Sequence, residues 1–195
     1  MRYKYSFNNN KWRDELIRAY SFRFTETPDF KEESDCIRTD ANLEHREGFD
    51  NISLLFPEPV GDGIKGKLRC SFVGDGCPEI ILVKKPEKCD DNFVRYGECF
   101  EVVLWRKGVN VWRHFIDENY KCTWENRLRC FNPVSERDVH ELAVEIQDKH
   151  IIFTVDDSMK TVLYVADLFE EFYIGITACE GIVHLYDFLL EKNEN

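Results

Sequence analysis

The stretch Val139–Val165, VHELAVEIQDKHIIFTVDDSMKTVLYV, and its continuation Tyr173–Leu190, YIGITACEGIVHLYDFLL, decide the fold of this chain. Both divide into short runs rich in Val, Ile, Phe and Tyr, separated by Asp-Lys, Asp-Asp-Ser and Glu-Gly. Such runs read as β-strands joined by turns.

The same signature extends towards the N-terminus. Strand-like runs occur at AYSFRFT (19–25), SDCIRTD (34–40), DNISLLF (50–56), IKGKLRCSFV (64–73), EIILVKK (79–85), ECFEVVLWR (98–106), VNVWRHFID (109–117) and KCTWENRLRCF (121–131). Their spacing of roughly 8–12 residues is that of an all-β sandwich or barrel. Parallel βαβ units are excluded because no helices separate the strands. Two segments read as helical: Asn10–Tyr20, with Asn10 as N-cap and Trp12, Leu16 and Tyr20 on one face, and a turn or two at Ala166–Phe172. The echo VGDGIKGKL and VGDGCPEII, from Val60 and Val73, is turn chemistry, with glycine supplying positive φ. It lacks the following helix of a phosphate-binding loop.

The middle of the chain carries the candidate site. In ECFEVVLW, Phe100, Val102 and Leu104 alternate with Cys99, Glu101, Val103 and Trp105. A tight turn at Arg106-Lys107-Gly108 follows, with Gly108 as the positive-φ residue. The next strand sets Asn110, Trp112, His114 and Ile116 opposite Val109, Val111, Arg113 and Phe115. After the turn at Asp117–Tyr120, Cys122, Trp124, Asn126 and Leu128 alternate with Thr123, Glu125, Arg127 and Arg129. One face of this meander is core. The other gathers Glu101, Trp105, Asn110, Trp112 and His114, with Trp124 and Arg127 alongside. Indoles stack on the apolar face of a pyranose while amides, carboxylates and guanidinium groups bond its hydroxyls. The competing reading is packing: tryptophans in adjacent strands often half-bury one another, and an Arg opposite a Glu is often only an ion pair.

Composition narrows the partners. A net charge of −11 with no basic run excludes sequence-independent nucleic-acid binding and disfavours an anionic membrane surface. No apolar run is long enough to span a bilayer, and the first residues, MRYKYSFNNNKW, lack a signal-peptide core. A cytoplasmic protein with eight reduced cysteines is therefore expected. No CxxC pair occurs, so most of these thiols read as small hydrophobes in strands. The acidic turns at Asp62, Asp75, Asp90–Asp91 and Asp156–Asp157 carry oxygens of the type calcium takes, but solvated turns are the commoner use. No metal and no cofactor are expected.

The Val139–Leu190 region resembles the closing strands of concanavalin-A-like lectin/glucanase jelly rolls. The matching positions are His140, Leu142 and Val144, then Phe153, Val155, Asp156 and Asp157, then Ile174–Ile176, and finally Tyr186, Asp187 and Phe188. Asp157 stands where that family's hairpin usually has glycine, and aspartate tolerates such a turn. The layout is also similar to the YesU-like bacterial proteins of that superfamily, which are associated with plant polysaccharide use. The resemblance implies an all-β, concanavalin-A-like jelly-roll β-sandwich of two antiparallel sheets with one or two short helices, in a single domain over residues 1–195. It also implies a saccharide ligand on the concave sheet.

Catalytic residues do not carry over. The laminarinase-type E-x-D-x-x-E strand is missing, and Glu98 and Glu101 point to opposite faces of one strand. The galectin signature is missing too, since TWENRLR (Trp124, Glu125, Arg127) has the residue types at another spacing. His140 and His184 read as packing residues, whereas His114, beside Trp112 and Asn110, is a candidate general base or hydroxyl partner. Three functions stay open: a saccharide binder, a glycoside hydrolase or polysaccharide lyase on the same fold, and a protein-interaction sandwich.

Overall fold

A computed structural model describes residues 1–22, 29–39, 52–89 and 93–192. The acidic pair Asp90–Asp91, the end of the run at 19–25 (Arg23–Thr25), Asp40 and the start of the run at Asp50 lie outside them.

Seventeen strands are described. The first nine are β1 (Arg2–Ser6), β2 (Ile17–Ser21), β3 (Lys31–Glu32), β4 (Ile37–Arg38), β5 (Ser53–Leu55), β6 (Ile64–Val73), β7 (Cys77–Val83), β8 (Glu87–Lys88) and β9 (Val94–Tyr96). There follow β10 (Cys99–Trp105), β11 (Gly108–Ile116), β12 (Cys122–Phe131), β13 (His140–Gln147), β14 (His150–Val155), β15 (Met159–Tyr164), β16 (Tyr173–Cys179) and β17 (Ile182–Lys192). They form two sheets. One runs β15-β14-β13-β6-β17-β4-β3, with β1 beside the C-terminal half of β17; the other runs β12-β11-β10-β7-β16-β5-β2-β9-β8. The expected two-sheet, almost wholly antiparallel sandwich is observed, with β2–β9 as a parallel pair.

Alternation places the core. Leu68, Phe72, Leu142, Val144, Phe153, Val183 and Phe188 of the first sheet meet Ile80, Leu82, Phe100, Val102, Leu104, Val111 and Ile174 of the second, and all are buried. A bulge between Leu185 and Asp187 keeps β17 in phase. Uninterrupted alternation after Val183 and Leu185 would turn Asp187 inward; the extra residue lets Phe188 and Leu190 enter the core instead. Asp187 then pairs with Arg69 at 2.8 Å.

The helix expected over Asn10–Tyr20 is a single turn, α1 (Trp12–Glu15), followed at once by β2. Lys11 holds the N-cap position without a side-chain cap, and Asn10 is not the cap. One turn is the costly nucleus of a helix, and the chain instead pairs Ile17–Ala19 with β5. Trp12 and Leu16 are buried as expected, but Tyr20 belongs to a strand. The segment Ala166–Phe172 is also not helical: it turns at Ala166–Asp167 and ends in a bridge from Phe172 to Val60.

The turn chemistry matches expectation. Gly63 and Gly74 have φ of 78° and 64°, and Asp156 and Asp157 adopt 51° and 52° in the β14–β15 hairpin. Gly108 has φ 135°, and a Cβ there would lie 2.0 Å from the carbonyl oxygen of Cys130.

Candidate functional site

The two sheets present unlike outer faces. On the first, charged side chains form cross-strand pairs such as Lys67–Glu141 at 2.9 Å, with both partners in solvent contact. On the second, half of the outer face is sealed by a small apolar cluster of Ala19, Leu55, Ile81, Val83, Tyr96 and Cys99. Ser53 and Tyr96 share a buried hydrogen bond of 2.7 Å beside it.

The other half, over β7, β10, β11 and β12, holds the candidate residues. Because Phe100, Val102 and Leu104 point into the core, Cys99, Glu101, Val103 and Trp105 point outward. The hairpin closes with Trp105 opposite Gly108, so Glu101 stands opposite Trp112, Val103 opposite Asn110, and Cys99 opposite His114. On the far side of β11, Trp124 lies opposite His114 and Asn126 opposite Trp112. Glu101, Trp105, Asn110, Trp112, His114 and Trp124 therefore share one face, as the alternation predicts.

Arg127 does not join them. The register of β11 with β12 shifts between Val111 and Trp112, leaving Arg127 as the extra residue. This bulge also separates Leu128, which packs on the core, from Trp124 and Asn126. Arg127 reaches Asp167 at 3.1 Å and Glu125 at 3.1 Å, beside the Phe115 ring. There it adjoins buried Arg113, which bonds Glu98 at 2.6 Å and lies 4.9 Å from the centre of the Phe100 ring. This ion-pair cluster belongs to the core side of the sheet.

Exposure grades the face. Trp124 on the edge strand is 56% exposed, Trp105 and Trp112 are half-buried, and Glu101 and His114 are buried. Cations sit over two of the rings, with Lys107 Nζ 5.6 Å from the Trp105 ring centre and Arg129 6.0 Å from that of Trp112. Glu101 Oε2 and His114 Nε2 are 2.7 Å apart. The Cys99 Sγ lies 4.0 Å from Glu101 Oε1.

Two further groups on this face were not among the predicted site residues. Glu79 is buried on β7, opposite Val103, which makes it the diagonal neighbour of Glu101. Cys99, classed with the core thiols, completes a compact Cys–Glu–His group with Glu101 and His114. The signal for Cys99 was in the hairpin itself: counting back from the Trp105–Gly108 closing pair brings it opposite His114. All eight cysteines are free thiols. A separate cleft of about 220 Å³, lined by Asp62, Asp148, Lys149 and Phe169 among others, contains none of the predicted residues.

Solved structures of similar shape place this architecture. The chain resembles β-agarase A from Zobellia galactanivorans with a TM-score of 0.68 at 9% identity, covering 97% of this chain and 89% of that one. It resembles the Bacillus licheniformis β-glucanase with a TM-score of 0.62 at 10% identity, covering 98% of each chain. The carbohydrate-binding module CBM66 from Bacillus subtilis aligns with a TM-score of 0.55 at 11% identity, over 80% of this chain and 87% of that one. No protein-family model and no curated protein sequence matches. The chain has the concanavalin-A-like lectin/glucanase jelly-roll fold. At such low identity the likeness is one of fold.

Proposed function

We propose that the outer face of β10, β11 and β12 binds a saccharide. The observation that carries this reading is the shared face of three indoles, Trp105, Trp112 and Trp124, with Asn110, Glu101 and His114 between them. Trp124 offers the exposed stacking platform, half-buried Asn110 supplies a hydroxyl partner, and buried Glu101 and His114 lie beneath it. The similar folds of an agarase, a glucanase and a carbohydrate-binding module support the choice of ligand class. The acidic net charge suits a neutral or cationic glycan better than nucleic acid. The test is affinity for a panel of oligosaccharides. Trp124→Ala and Trp112→Ala are each expected to weaken binding about tenfold, or ~1.4 kcal/mol, while the fold is retained. If no oligosaccharide raises the melting temperature of the wild type, the reading fails.

A second reading, a glycoside hydrolase on the same face, is favoured by the buried carboxylates of Glu79 and Glu101. Diagonal neighbours on adjacent antiparallel strands have Cα atoms roughly 7–8 Å apart, a backbone spacing from which two glutamates on one face can bring their carboxyl groups to the separation of about 5–9.5 Å used by glycosidase pairs. Product analysis after incubation with β-glucan and pectic oligosaccharides separates hydrolase from binder, and Glu79→Gln abolishes turnover only in the former.

A further inference from the structure

We propose that Cys99, Glu101 and His114 form a three-ligand site for a divalent transition metal, with zinc as the fitting ion. Cys99 and Glu101 are two apart on β10 and therefore share a face, and the hairpin register sets His114 directly across from Cys99. A thiol sulfur, a carboxylate oxygen and an imidazole nitrogen consequently lie within 4.8 Å of one another. In a tetrahedral zinc site these donors stand about 2.0–2.3 Å from the ion and so about 3.3–3.6 Å from each other. Seating the ion requires the Cys99–Glu101 separation of 4.0 Å to close slightly and the Glu101–His114 hydrogen bond of 2.7 Å to open. Both changes are side-chain rotations on a rigid two-strand frame.

The donor set selects the ion. Thiolate and imidazole favour zinc and its neighbours over calcium or magnesium, which take oxygen. The electrostatics agree. All three residues are at most 5% exposed, and an unbalanced charge at such depth is costly. A thiolate and a carboxylate together cancel the charge of a divalent cation, and a neutral His114 adds none. Three protein ligands leave a fourth position for water or a ligand oxygen, the arrangement of an open rather than a purely structural zinc site.

The metal site shares Glu101 and His114 with the proposed saccharide face. When loaded it withdraws both from direct sugar contact and offers its open position to a sugar oxygen, leaving stacking to the indoles. It also removes Glu101 from any carboxylate pair with Glu79. Metal binding does not depend on saccharide binding, so either can fail while the other stands.

The test uses tag-free full-length protein, stripped with a chelator and titrated with Co(II) and then Zn(II). One equivalent of Co(II) is expected to produce a near-ultraviolet thiolate-to-cobalt charge-transfer band, which Zn(II) abolishes by displacement. Cys99→Ser, a near-isosteric change, is expected to lose the band and to weaken metal binding at least tenfold, whereas Cys36→Ser retains both. Zn(II) should raise the melting temperature of the wild type and leave that of Cys99→Ser unchanged. Absence of the band in the wild type overturns the site, with no variant needed. Persistence of the band in Cys99→Ser, or its loss in Cys36→Ser, overturns it equally.

Discussion

Replacing His140 with Leu isolates one polar clamp between the N-terminal end of β13 and the end of β14. The imidazole is buried, with Nδ1 2.7 Å from Asp156 Oδ2 and Nε2 2.8 Å from the Ser135 carbonyl oxygen. Burial lowers its pKa, but the hydrogen bonds to Asp156 and Ser135, with the charges of Asp156 and Asp138, outweigh it and raise the pKa above its ordinary value. Both neighbours are acceptors, so only the doubly protonated ring serves both. Asp156 is 41% exposed in its side chain, which reduces a charge-assisted bond to about 1 kcal/mol. The Ser135 bond adds about 1 kcal/mol. Their combined loss, about 2 kcal/mol, lowers the melting temperature by roughly 4–8 °C for a chain of this size. Because the folded pKa is raised, the stabilisation is fully present below the unfolded value of about 6.5 and is lost as pH rises through the folded value. Thermal unfolding followed by circular dichroism from about pH 5 to about pH 9 should show the wild type leading the variant most at the acid end. A gap that is independent of pH, or that widens with pH, refutes the reasoning.

Two other substitutions and one deletion probe the frame. Gly108→Ala forces a Cβ to within 2.0 Å of the Cys130 carbonyl at a φ of 135°, so denaturant unfolding should show a loss of at least about 2 kcal/mol. Arg113→Met strips half-buried Glu98 of its 2.6 Å partner but leaves Lys84 at 2.7 Å. The cost should fall to about 2–3 kcal/mol, below the range of about 3–5 for breaking a fully buried pair. Burial alone raises the Glu98 pKa, but Arg113 and Lys84 hold it below the usual range. The wild type's advantage should therefore be present above the unfolded carboxylate value and shrink as pH falls through the folded one. Deleting Tyr186 removes the extra residue of the β17 bulge but leaves Leu185 opposite Cys70 and Asp187 opposite Arg69, so Phe188 and Leu190 keep their phase. A loss of less than about 3 kcal/mol is expected in equilibrium unfolding, and a larger loss contradicts the phase argument.

Most of the strand positions were legible because period-two alternation survives wherever one face of a strand is core. The run Ile64–Val73 appears as β6 with the same ends, and the last five strands lie where their turns placed them. The N-terminal strand β1 was missed although RYKYS alternates, since its partner β17 is at the other end of the chain. Asn10–Tyr20 misled because Trp12, Leu16 and Tyr20 have helical spacing, while the pairing of β2 with β5 and β9 is visible only in three dimensions. At the candidate site, the local β10–β11 hairpin made Glu101, Trp105, Asn110, Trp112 and His114 readable as one face. Arg127 was misplaced because a bulge depends on how β12 meets β11, and Glu79 was overlooked because β7 meets β10 only through long-range pairing.

The saccharide proposal rests on three indoles of one face, and the fourth tryptophan is a built-in control. Trp12 is 1% exposed and packs against Phe7 in the core, away from Trp105, Trp112 and Trp124. The most direct measurement is an oligosaccharide titration of ¹⁵N-labelled protein that follows the four indole N–H resonances. The account predicts saturable shifts of the Trp105, Trp112 and Trp124 signals with Trp12 unmoved. Shifts confined to Trp12, or binding that leaves all four in place, would contradict it.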